Sequence, residues 1–125
     1  MKAFLKGKIY IIAIIVTLSI LYLSLVKTPS YHVGIAHLDK LQHFFAYFIL
    51  TSSWLLVFYK KNKNQLIVGC CILFGIIIEV LQNKLTDYRT GDYLDVIANS
   101  TGVFLGLLIL NQISKKIEVK KRKDL

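Results

Sequence analysis

The chain has 125 residues, of which 55% are hydrophobic and only 18% charged, with a single proline. It is too apolar for an ordinary soluble domain and too short for two domains, so it reads as one all-α, membrane-embedded unit. A formal net charge of +9 suits nucleic acid in principle, but the basic residues flank apolar runs and belong to no recognition motif, so no nucleic-acid partner is expected.

Four apolar runs predict a polytopic bundle of four transmembrane helices, at about 9–26, 39–59, 65–82 and 92–113, followed by a basic cytoplasmic tail over 114–125. At about 1.5 Å per residue, each run can cross or nearly cross a hydrocarbon core of roughly 30 Å. Lys2, Lys6 and Lys8 ahead of the first run also fit a signal peptide. Its apolar core is longer than a usual h-region, however, and Ser24-Leu25-Val26-Lys27 is a poor small-residue cleavage site, so an uncleaved helix is expected.

The second helix opens with Asp39, Lys40 and His43, and Asp39, His43, Tyr47 and Thr51 recur every four residues along one stripe. The third carries adjacent cysteines, Cys70 and Cys71, in mid-span without CxxC or zinc spacing, which predicts packing. Its far end holds Glu79 and Gln82. Arg89 precedes the fourth helix, where Asp92, Asp95, Asn99, Gly102 and Gly106 step by three or four residues. Ala98, Gly102 and Gly106 form a small-residue seam for close approach of another helix, which the sequence leaves unspecified.

Orientation follows from the basic residues. Twelve of the sixteen (Lys2, Lys6, Lys8, Lys60, Lys61, Lys63, Lys115, Lys116, Lys120, Lys121, Arg122 and Lys123) lie on one side of a four-span topology, which predicts both termini in the cytoplasm. The polar stripes of helices two, three and four then converge at the outer face. Ionisable groups at or inside a bilayer are costly and mark partners or sites.

Some of these residues have ordinary explanations. Asp39 and Asp92 stand where helix N-caps stand, Lys40 and Arg89 can snorkel at a membrane rim, and Tyr47 can be a packing residue. Glu79 resists such an account, because it lies near a helix C-terminus, where the macrodipole disfavours an anion. The outer face could pair internally, hold a divalent metal through carboxylates and His43, or turn Lys40 and Arg89 to an anionic head group. Without HxxxH or HExxH spacing, no metal and no cofactor is expected. The binding candidates are therefore Asp39, Lys40, His43, Tyr47, Glu79, Gln82, Arg89, Asp92, Asp95 and Asn99, with His43, Glu79 and Asp95 the candidates for any catalysis.

Asp39-Lys40-Leu-Gln-His43-Phe-Phe-Ala-Tyr47, Glu79-Val-Leu-Gln82 and Arg89-Thr-Gly-Asp92-Tyr-Leu-Asp95-Val-Ile-Ala-Asn99-Ser-Thr-Gly102-Val-Phe-Leu-Gly106, in this order, resemble the VanZ-like family of small bacterial membrane proteins. The resemblance covers about Asp39 to Leu110. It implies a multi-pass protein of the bacterial cytoplasmic membrane, linked in the member that names the family to low-level teicoplanin resistance. Joined to the predicted orientation, it suggests an outer-face pocket for a lipid-anchored amphiphile such as a lipoglycopeptide or a lipid-linked wall precursor, among membrane lipids as partners. Two rival readings remain: a membrane enzyme acting on a lipid-linked phosphate or ester, and a structural protein whose polar residues serve helix assembly alone.

Overall fold

The computed structural model describes residues 2–26, 38–85 and 93–125. They form four helices, α1 (Lys2–Leu25), α2 (Leu38–Val57), α3 (Asn64–Leu85) and α4 (Tyr93–Lys123), with no strand among the described residues. Segments Gly7–Leu25, Asn64–Leu85 and Tyr93–Lys123 are long and apolar enough to cross a membrane. The second helix has 20 residues, about the length of a span, and carries Lys40, Gln42 and His43 near its start.

Helices α2 and α3 each touch all three others, whereas α1 and α4 flank them without touching each other among the described residues. The core is Tyr47, Leu50 and Leu55 of α2, Ile67, Val68 and Cys71 of α3, and Val103 and Leu110 of α4. Around it the surface is apolar: Ile11, Ile15, Leu18 and Tyr22 of α1, Leu73 and Ile77 of α3, and Ile97, Phe104 and Leu108 of α4 are all exposed. Water would penalise so continuous an apolar exterior, and lipid does not. The chain is a membrane protein.

The α2–α4 seam is the most extensive in the bundle. A Cβ on Gly102 would collide with the Phe44 carbonyl oxygen of α2, and one on Gly106 would meet Phe48 O and Ser52 Oγ at 3.3 Å. Small residues thus bring the α4 backbone against α2. Within the apolar body, Trp54 Nε1 donates to Thr17 Oγ1 at 2.9 Å, and Thr17 donates in turn to the Ala13 carbonyl at 2.8 Å.

Beyond Val57 the chain reverses through residues 58–63, with Lys60 (φ 65°) and Asn62 (φ 58°) in the left-handed region that a tight reversal requires. Two boundaries differ from the apolar runs. The first helix already starts at Lys2, and the basic segment expected as a tail continues α4 to Lys123. Hydrophobicity marks where a helix enters lipid, whereas a helix stops at a breaker; from Gln112 to Lys123 there is neither glycine nor proline to stop it.

This topology puts the start of α1, the 58–63 reversal and the end of α4 at one end of the bundle. An Asn64 Nδ2 to Asn111 Oδ1 contact of 3.4 Å links α3 to α4 there. The opposite end gathers the C-terminus of α3 and the N-termini of α2 and α4.

Candidate functional site

At that opposite end, three helices present polar side chains to one another. Four residues separate Asp95 from Asn99, so both lie on the face of α4 turned inward, where they are 7% and 2% exposed. Glu79 of α3, 5% exposed, comes in from the side. His43 of α2 stands between them: Nδ1 is 3.1 Å from Asn99 Oδ1 and 3.9 Å from Glu79 Oε1, and Nε2 is 3.8 Å from Asp95 Oδ2. At the rim Lys40 Nζ lies 3.4 Å from Asp95 Oδ1.

These distances fix what the groups do. Of the three His43 contacts, that to Asn99 is the hydrogen bond; in the Nδ1–H tautomer, His43 donates and the amide oxygen accepts. Both carboxylates lie beyond hydrogen-bond reach of the imidazole but within 4 Å of it. Lys40 and His43 remain partly accessible at 23% and 18% side-chain exposure, so the cluster opens outward at its cationic and imidazole side and is closed beneath.

The floor comes from Tyr47 and Gly75. Tyr47 is 1% exposed, and its hydroxyl and Asn99 Nδ2 have no hydrogen-bond partner among the described residues. A Cβ on Gly75 would lie 3.2 Å from both Asn99 Nδ2 and Tyr47 Cε1, so the absent side chain makes room for them. Sequence reasoning missed Gly75. Its signal was its position four residues before Glu79, on the same face of α3.

Gln82 reaches elsewhere: its Nε2 donates to the carbonyl of Ser24 at 2.8 Å, tying α3 to the end of α1. Ser24 also escaped the sequence, since it contributes through its backbone. Arg89, Asp92 and the side chain of Asp39 lie outside the described residues. The cluster thus brings together Lys40, His43, Glu79, Asp95 and Asn99, with Tyr47 beneath.

Deeper in the bundle lies a cavity of about 400 Å³ with almost wholly apolar walls. Thr17 of α1, Leu50 and Trp54 of α2, Phe58 just beyond that helix, and Leu66, Ile67, Cys70, Cys71 and Phe74 of α3 line it. Leu50 is seven residues from His43, or about 10 Å along α2. Its size falls within the range of about 300–1,000 Å³ usual for small-ligand pockets.

Residues 5–114 match the model of the VanZ/LLP1 family, a match that takes in α1 as well as the polar helices. An uncharacterised protein of the fission yeast Schizosaccharomyces pombe is 36% identical over 114 residues, covering 89% of this chain and 68% of that protein. No solved structure matches the chain.

Proposed function

The chain belongs to the VanZ/LLP1 family, and we propose that it binds a membrane amphiphile, with the polar head at the Lys40–His43–Glu79–Asp95–Asn99 cluster and the hydrocarbon tail along the apolar cavity. The observation that carries this reading is the convergence of buried Glu79, Asp95 and Asn99 from two helices upon His43 of a third. Structural assembly alone would not require an imidazole and an ammonium kept partly accessible at the mouth of such a cluster. The cavity supplies the complementary half, since an amphiphile needs an apolar wall below a polar one.

The distribution of basic residues supports an orientation with both termini in the cytoplasm and the cluster at the outer leaflet of a bacterial cytoplasmic membrane. There a lipid-anchored antibiotic or a lipid-linked wall precursor presents its head group, and binding would contribute to teicoplanin resistance or to envelope homeostasis. The fungal relative widens the ligand class, favouring a head group common to bacterial and fungal membranes. The test is teicoplanin susceptibility, with vancomycin as control, in cells carrying wild type, Glu79→Gln or Asp95→Asn at equal membrane abundance. Protection by wild type alone supports the site and its link to the drug. Variants that protect as well as wild type would remove the cluster from that function.

One geometric observation favours a second reading. His43 lies between two carboxylates at 3.8–3.9 Å, an arrangement able to shuttle a proton on a lipid-linked phosphate or ester. Conversion of a polyprenyl phosphate or phospholipid by wild type and not by His43→Ala would establish it. Absence of conversion by purified wild type would return the cluster to binding alone.

A further inference from the structure

We infer that His43, Glu79 and Asp95 bind a single first-row divalent cation, of the zinc or manganese class, and that this ion holds the anionic head of the amphiphile. The cation site stands on the geometry below, whereas its task as head-group anchor rests on the amphiphile-binding reading. One donor atom from each residue lies within 4.8 Å of the other two. With metal–ligand bonds of about 2.0–2.2 Å, such donors sit roughly 3.3 Å apart around a bound ion. The set must draw in by at most about 1.5 Å, which side-chain torsions can supply without moving a helix.

The surroundings orient His43 and Asp95 as ligands are oriented, whereas Glu79 Oε1, 3.9 Å from Nδ1, must swing toward Nε2 to join them. A metal-bound histidine donates its other ring N–H to a fixed acceptor. Here Asn99 Oδ1 takes the Nδ1 proton at 3.1 Å, leaving the Nε2 lone pair on the side of Asp95 Oδ2, 3.8 Å away. Lys40 holds the other oxygen of the same carboxylate, Oδ1, at 3.4 Å. Glu79 and Asp95 are 5% and 7% exposed, so the site is shielded from water, and three protein ligands leave a coordination position for an outside oxygen. The Asn99 amide nitrogen is turned away from the donors, to the floor that Gly75 and Tyr47 form. An imidazole with two carboxylates selects borderline first-row ions over magnesium or calcium, which prefer all-oxygen shells.

The experiment uses the full-length protein in detergent, stripped with chelator, incubated with Zn²⁺ or Mn²⁺, freed of excess ion and assayed for metal by mass spectrometry. The expected result is about one ion per chain on wild type and at least a tenfold loss on Glu79→Gln and Asp95→Asn that elute as wild type does. No retained ion on folded wild type, or equal retention by the folded variants, would overturn the inference. Should the variants not fold, Mn²⁺ paramagnetic resonance on wild type decides: nitrogen coupling from a bound imidazole supports the site, and its absence refutes it. Copurifying lipid is measured in the same samples. Lipid retained equally without metal would defeat the ion's anchoring role while sparing the amphiphile reading; a stoichiometric ion with no lipid at any stage would do the reverse.

Discussion

The Asn99 amide oxygen lies 3.1 Å from His43 Nδ1 and is the contact that fixes the imidazole between its two carboxylates. Asn99 is therefore a positioning residue for His43.

Replacing Asn99 with alanine should cost about 1–2 kcal/mol of stability, from one lost buried hydrogen bond and a small void. Head-group binding should fall further than that loss explains, because a freed imidazole rotates away. Melting temperature and lipid retention, measured on one preparation, separate the two effects. Retention unchanged in a folded Asn99→Ala protein would show that the imidazole needs no such support.

The glycine seam predicts a graded response. Gly102→Ala drives a methyl group into the Phe44 carbonyl of α2, where backbone must move, and should destabilise by about 1–3 kcal/mol. Gly106→Ala meets its neighbours at 3.3 Å and beyond, so it should cost less. Thermal unfolding in detergent ranks the two, and a reversed order would contradict the close approach at Gly102.

The apolar cavity can be filled while the polar cluster is left intact. Cys70→Phe adds a ring to an exposed position in the cavity wall, and copurifying lipid should drop severalfold without loss of folded protein. Native mass spectrometry reads this directly. Undiminished lipid would place the tail elsewhere.

Trp54→Phe keeps an aromatic ring against Tyr10, 5.9 Å away in an edge-to-face pair, but removes the hydrogen bond to Thr17. Interhelical bonds of this kind contribute about 0.6 kcal/mol on average, and up to about 2, so a small drop in melting temperature is expected. A drop as large as that of Gly102→Ala would mean that Trp54 holds more of the bundle than one bond.

Apolar run length made the four helices legible, and the alternating topology they imply was enough to bring His43, Glu79, Asp95 and Asn99 to one end. Their contact partners were not legible, because contact depends on how helices rotate against one another. Gly102 and Gly106 announce a close approach without saying to what; the structure answers with α2. Gln82 looks in sequence like a companion of Glu79, yet one further turn of α3 brings it to Ser24. Gly75 had no polar atom to draw notice. A donor set spread over α2, α3 and α4 leaves no motif of the kind that HExxH provides on one helix, so the absence of such spacing carried little information about His43, Glu79 and Asp95.

Only 6% of the apolar segment of α1 is buried in the bundle, so contact with its neighbours does little to fix its place. Hydrocarbon surrounds an apolar side chain as favourably as another helix does, which leaves the bonds from Trp54 to Thr17 and from Gln82 to Ser24 as latches. Because Thr17 of α1 lines the apolar cavity, which is already half open to the surroundings, unfastening them should widen its mouth toward the bilayer.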